Sequence, residues 1–339
     1  MRNSLLTSLV LLAACGPDRT ALLYSPAKTY RVIDTVDHPL TYMTGDPTTP
    51  SRTITLRIRS PRGATGPLPA VVVIHGGGFN PNGFNALEDW GEQLAAAGFV
   101  AINFGNADDE GNAHCVPLMI PAGECTAAFL TKDVSQGGTI PAWLYTRPQD
   151  AKAIVDQLAS VEQRAGVQID RDRLGVLGHS AGAHATMSLA GLVIDLSPSV
   201  KAKAWNADAR FKAFVANSPQ GLDYLGITAT SWSAITRPML VQTGKRDATE
   251  GEQPAGRREA FKRLPGPDAF EHYLDDEGTP HGLFALEKDE GVTGLELALA
   301  RTGVAFFDAF LNGRDEAKTF LNGNALTRAT GGVSTLSKK

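Results

Sequence analysis

Several things are scarce in this chain of 339 residues. Cysteine occurs three times, as Cys15, Cys115 and Cys125. Neither of the last two stands near a histidine cluster with metal-ligand spacing, so no metal site and no cofactor is expected. Excess charge of one sign is also missing. Lys and Arg total 32 against 36 Asp and Glu, a net −4, and so mildly acidic a chain gives no sign of nucleic-acid binding. There is no internal repeat, and only the N-terminus carries a hydrophobic run. The one triple-glycine stretch lacks Gly-x-Gly-x-x-Gly spacing and is not ended by Lys-Ser/Thr, which sets aside a phosphate-binding loop. Histidine is sparse, with seven in all, so each candidate base can be weighed by position. Apolar content of 42% is ordinary for a globular protein. The length suits one large α/β domain or two small ones.

What is present begins with Gly178-His179-Ser180-Ala181-Gly182. Arg173 to Leu177, ahead of it, is short and apolar enough for a buried strand. Ala183 to Ala190, behind it, is rich in helix formers. Glycines on both sides let strand and helix approach closely at a sharp turn, so that the serine hydroxyl projects from the sheet edge. The alternative is an ordinary glycine-rich turn.

The rest of the chain alternates strands with helices. Thr53 to Arg59 reads as an antiparallel strand with one wet face, near an edge. Ala70 to Ile74 is apolar and β-branched, as a strand buried on both faces should be. A helix is expected over Ala86 to Ala97, a strand over Phe99 to Phe104, and a helix opened by Pro148 and running to Leu158. Strands follow at Phe211 to Ala216 and Met239 to Thr243, and a helix at Arg257 to Leu264. Phe270 to Leu274 reads as the last strand, and Leu295 to Leu311, ended by Asn312-Gly313, as the final helix. Such alternation implies an α/β fold with a mostly parallel central sheet and helices on both faces. Ligand chemistry in these sheets gathers at the carboxyl ends of the strands, and every candidate below falls just after a strand.

A serine hydroxyl needs a base, and the base needs an orienting group. His281 is the preferred base, in Thr279-Pro280-His281-Gly282 after the last expected strand. Asp247 is the preferred acid, directly after the strand ending at Thr243. Asp223 competes from one strand earlier, with Glu250 and Asp275 weaker options. Donors for a tetrahedral oxyanion are expected from Gly77 and Gly78, in His75-Gly76-Gly77-Gly78-Phe79, and from the N–H of Ala181. Phe79, Trp232 and Phe284 lie near these loops, and each is either a pocket wall or an ordinary core residue.

From roughly Thr53 to Gly313 the chain resembles an α/β-hydrolase. His75-Gly76-Gly77-Gly78 is similar to the oxyanion motif of hormone-sensitive-lipase-type esterases. Arg147-Pro148-Gln149-Asp150, Asp172 to Ser180 and Ala234 to Leu240 look more like the dienelactone hydrolase and platelet-activating-factor acetylhydrolase group, which also holds chlorophyllase-like and polyester-cleaving relatives. Dienelactone hydrolases use a cysteine nucleophile, and Ser180 departs from that. The order Ser180, Asp247, His281 is the one expected of the fold. The resemblance implies a metal-free serine esterase acting on a small-molecule ester through an acyl-enzyme. Rivals are an exported peptidase or lipase of the same fold, or a non-catalytic surface-binding lipoprotein.

Residues 1–14 resemble a lipoprotein signal peptide. Arg2 is the positive region, Leu5 to Leu12 the short apolar core, and Leu12-Ala13-Ala14-Cys15 the lipobox. Cys15 would carry the lipid and anchor the protein to a bacterial membrane; a plain secretory signal with an incidental cysteine is the alternative. Gly16 rather than Asp after the cysteine points to the outer membrane, facing periplasm or exterior. Residues 15–45 are read as a tether and lead-in, and 46–339 as a single hydrolase domain. Within it, 105–147 is too long for an ordinary connection and is either a flap over the site or a surface excursion. Export permits Cys115 and Cys125 to pair; two free buried thiols are the alternative. Oligomeric state is not encoded in any pattern found.

Overall fold

The computed structural model describes residues 19–45, 50–78, 80–106, 143–195, 203–249, 251–286 and 294–339. Among these, nine strands form one sheet: β1 (Val32–Met43), β2 (Ser51–Pro61), β3 (Pro67–Ile74), β4 (Val100–Phe104), β5 (Gln168–His179), β6 (Phe211–Asn217), β7 (Met239–Gly244), β8 (Ala269–Leu274) and β9 (Ser334–Lys338). The spatial order is β1-β2-β4-β3-β5-β6-β7-β8-β9. Every pairing from β4 across to β8 is parallel, while β1, β2 and β9 add antiparallel margins. The protein is a mixed α/β structure with a mostly parallel sheet.

Strand side chains alternate between two faces, and the central strands are apolar on both. Val72, Val176 and Phe214 enter one core, with Ile154 of α2 (Trp143–Asp156), Leu158 of α3 (Leu158–Ala165) and Met187 of α4 (Ala181–Ala190). Their neighbours Val71, Val73, Leu177 and Val215 enter the other. There they meet Trp90 and Leu94 of α1 (Glu88–Ala96), placed before α2 in the chain, and Phe306 and Phe307 of the long helix Gly294–Leu311. Helices therefore cover both faces of the sheet.

Four features differ from the sequence expectations. Val32–Met43, inside the expected lead-in, is an edge strand. A bulge between Thr35 and His38, with Asp37 at φ 55°, breaks its alternation. Pro148 does not open its helix but lies inside α2, which begins at Trp143. The expected helix Arg257 to Leu264 is two short helices, Pro254–Arg257 and Glu259–Arg263. Phe270 to Leu274 and Leu295 to Leu311 are not the last elements. Two further helices, Asp315–Asn322 and Ala325–Ala329, precede β9, which is short, polar and at an edge.

Parallel strands bring their carboxyl ends to one edge. Ile74 pairs with Gly178, His179 with Asn217, Asn217 with Gln242, and Gly244 with Leu274. The loops carrying the candidate residues all leave from this edge.

Candidate active site

Ser180 sits between β5 and α4 with φ 53° and ψ −117°, a conformation L-residues rarely adopt. The local sequence makes that turn sterically feasible. A Cβ at position 178 would lie 2.1 Å from the Gly182 carbonyl oxygen, and one at 182 would lie 2.0 Å from that of Ile74. Only glycine fits either position. The Ser180 N–H donates to the Asn217 carbonyl at 2.9 Å, so it is engaged by the sheet. The next amide, Ala181, opens α4 and has no intrahelical acceptor. The helix dipole there favours negative charge.

His281 begins a 3-10 turn, His281–Ala285, after β8. Its Nδ1 lies 2.7 Å from Asp247 Oδ1. An ionised carboxylate only accepts, so Nδ1 donates, and the neutral ring keeps Nε2 as a proton acceptor. The two loops are strapped together: Arg246 and Pro280 form a parallel bridge, and the Arg246 N–H donates to Thr279 Oγ1 at 3.3 Å. Asp247 is fully buried. Its Oδ2 accepts from the Thr243 hydroxyl at 2.8 Å, and Oδ1 is 3.0 Å from Arg257 Nε. Arg257, itself buried, also donates to the carbonyls of Asp247, Ser218 and Pro219 and to Thr249 Oγ1. The acid is thus a paired, hydrogen-bonded buried charge, the condition under which such a charge is tolerated.

Asn217 joins the serine loop to the histidine loop. While its carbonyl holds the Ser180 N–H, its side-chain Nδ2 donates to the Phe284 carbonyl at 3.3 Å, which also accepts from Trp90 Nε1 at 3.0 Å. His179 adds a second tie. Its Nε2 donates to the His281 carbonyl at 3.0 Å, and the two rings have centroids 4.6 Å apart. Burial first, and then the neighbouring His281 ring, push the His179 pKa down to about 3. That ring is neutral near neutral pH and fixed in one tautomer by its carbonyl partner.

The glycine loop lies against the elbow. A Cβ on Gly76 would be 3.3 Å from Ser180 Cβ and 2.9 Å from His179 Nδ1. Gly77 has φ 69°. His75 Nδ1 donates to the Gly76 carbonyl at 2.8 Å, and burial holds the His75 pKa down at about 3. Arg147, fully buried on α2, donates to the carbonyls of His75 at 3.0 Å, Gly77 at 2.9 Å, and Gly78.

The structure therefore pairs His281 with Asp247, sets Gly76 against Ser180, and places Gly77, Gly78 and Ala181 on the loops that leave the same sheet edge. Asp223 and Asp275 make no hydrogen bond or ion pair to His281 among the described contacts. Asp223 is exposed with φ 62°, and Asp275 lies 3.4 Å from Lys245 in a surface ion pair. Of the expected pocket walls, Trp232 is a core residue, donating through Nε1 to Met187 Sδ at 3.4 Å. Phe284 is also core, packed on the opposite face of the sheet. Cys15, Phe79, Cys115, Cys125 and Glu250 lie outside the described residues, as do 107–142 of the expected flap. Thr243, Arg257, Asn217 and Arg147 carry the site's polar frame, and no role was assigned to them from sequence. Only Arg147 left a signal there, as the first residue of Arg147-Pro148-Gln149-Asp150.

Compared with known proteins, the chain matches no family model and no curated protein.

Proposed function

We propose that this protein is a serine carboxylic ester hydrolase of the α/β-hydrolase type. The supporting observation is the 2.7 Å hydrogen bond from His281 Nδ1 to the buried Asp247 carboxylate, on the same sheet edge as a serine held at positive φ. His281 Nε2 takes the Ser180 hydroxyl proton as Oγ attacks the ester carbonyl. The Asp247 carboxylate stabilises the imidazolium that forms. The tetrahedral oxyanion accepts from the N–H groups of Gly77, Gly78 and Ala181, and one such donor contributes about 3–4 kcal/mol to the transition state. His281 then protonates the leaving alcohol. Water, deprotonated by the same ring, attacks the acyl-serine, and the carboxylic acid leaves with Ser180 restored.

Nitrophenyl acyl esters of graded chain length, assayed beside aminoacyl amides, test the assignment. Ester turnover that is lost in Ser180→Ala is expected. Amide cleavage exceeding ester cleavage would make the enzyme a peptidase, rising activity with acyl length would make it a lipase, and no turnover of either kind would contradict catalysis.

We further propose that Cys15 carries a lipid anchor to the bacterial envelope. Globomycin, which blocks lipoprotein signal cleavage, should accumulate the uncleaved precursor in a bacterial host. Unchanged processing would contradict the anchor.

A further inference from the structure

Arg147 is a buried cation that sends three hydrogen bonds to one loop, while its Nη2 also reaches Asn106 Oδ1 at 3.5 Å. Its Nη1 donates to the His75 carbonyl, and its Nη2 to the carbonyls of Gly77 and Gly78. The remaining carbonyl of that stretch, on Gly76, accepts from the His75 ring. All four carbonyls of His75 to Gly78 are thus engaged by side chains.

The peptide unit is planar and trans, so its C=O and N–H point in opposite directions. A carbonyl drawn toward α2 sends the N–H of the same peptide away from α2. The Gly77 carbonyl belongs to the Gly78 peptide, so Arg147 sets the direction of the Gly78 N–H. The Gly76 carbonyl belongs to the Gly77 peptide, so the His75 ring sets the Gly77 N–H. A run of glycines cannot do this alone, because without Cβ atoms its peptides turn over at little cost. A flipped peptide would present a carbonyl oxygen where the developing oxyanion needs a donor. A guanidinium is suited to the task, since its planar fork reaches several oxygens at once, which an ammonium does not.

The clamp is anchored from behind. Asp150, one turn further along α2, accepts from the Tyr42 hydroxyl of β1 at 2.6 Å and from Arg52 Nε of β2 at 3.4 Å. Asp150 and Arg52 are both buried. The Arg147-Pro148-Gln149-Asp150 sequence thus ties the glycine loop to the sheet margin through a single helix.

Granting the serine-hydrolase assignment above, we propose that Arg147 is the positioning residue of the oxyanion loop, holding its carbonyls so that its N–H groups face the reacting carbonyl. It touches no reacting atom.

The test is Arg147→Lys in the full-length protein, assayed with nitrophenyl acetate and counted by fluorophosphonate active-site titration. Per titrated site, kcat should fall about 10²- to 10³-fold, the loss seen when an oxyanion donor is removed. KM should change less than about threefold. The affinity of a trifluoromethyl ketone, which forms the tetrahedral adduct, should fall in proportion to kcat. In Arg147→Ala, added guanidinium should restore part of the loss. A purely structural role predicts otherwise: fewer titratable sites, each with wild-type kcat. That result would overturn the inference, as would unchanged kcat. If Arg147→Lys does not fold, Arg147→Gln carries the same measurements. Failure of both to fold would assign the guanidinium to stability and reject the positioning role. A wild-type protein that neither labels nor turns over esters would instead reject the esterase assignment itself. Active wild type with an unimpaired Arg147→Lys would reject this inference alone.

Discussion

At the scale of single residues, the proposed mechanism gives His281 and Asp247 different tasks, so they should fail differently. The His281 side chain is 19% exposed and belongs to a turn held mainly through backbone atoms. His281→Ala should cut turnover by about 10⁶-fold, as loss of the base does in a serine hydrolase, while stability changes by less than about 1 kcal/mol. Retained turnover would move the base elsewhere. Asp247 is fully buried against Arg257. Asp247→Asn should lower kcat about 10⁴-fold through the wrong tautomer. It should also cost about 3–5 kcal/mol in a urea melt, because Arg257 is left buried without its counter-charge. Asp223→Asn, at an exposed position, should leave both nearly unchanged. A larger rate loss at Asp223 than at Asp247 would reassign the acid.

At the scale of elements, the elbow depends on how closely α4 approaches β3. Gly182→Ala places a methyl 2.0 Å from the Ile74 carbonyl oxygen and should destabilise by at least about 1–3 kcal/mol, as overpacking does. Gly282→Ala, beside His281, meets nothing within 4 Å and should change stability by less than about 0.5 kcal/mol. Equal thermal melts for the two variants would contradict the packing described. The same elements show what the sequence could reveal. The strands ahead of Ser180, Asp247 and His281 were legible because each contains an apolar run that marks a buried strand. β1 was not, because Asp37 and Pro39 interrupt its alternation and most of its residues face water. β9 was not, because Ser334–Lys338 is polar and gains its place by pairing with β8. The burial of Arg147 and Arg257 was not legible for another reason. Sequence patterns assign an arginine to the surface by default, and only tertiary structure shows one buried among carbonyls.

At the scale of the whole molecule, the interior stores several neutral imidazoles. Burial lowers the pKa of His75, His179 and His272 to about 3 and of His184 to about 4. In the unfolded chain each would titrate near 6.5. The unfolded state therefore binds more protons than the folded one from about pH 6.5 down to those lowered values. Stability is fully present above about pH 6.5 and is lost as pH falls through that window, with a slope of up to about 1.4 kcal/mol per pH unit for each ring. Urea melts between pH 7 and pH 4 should show this decline. Stability that holds constant or rises on acidification would contradict it.

On the proposed function, three separate loops, leaving one sheet edge after β3, β5 and β7–β8, act on a single carbonyl. The most direct measurement is mass-spectrometric mapping of the adduct left by a fluorophosphonate on the intact protein. A single phosphonyl group on Ser180, absent from Ser180→Ala and formed far more slowly in His281→Ala, is the predicted result. A protein that takes up no label, or takes it up equally well without the Ser180 hydroxyl, would contradict the account.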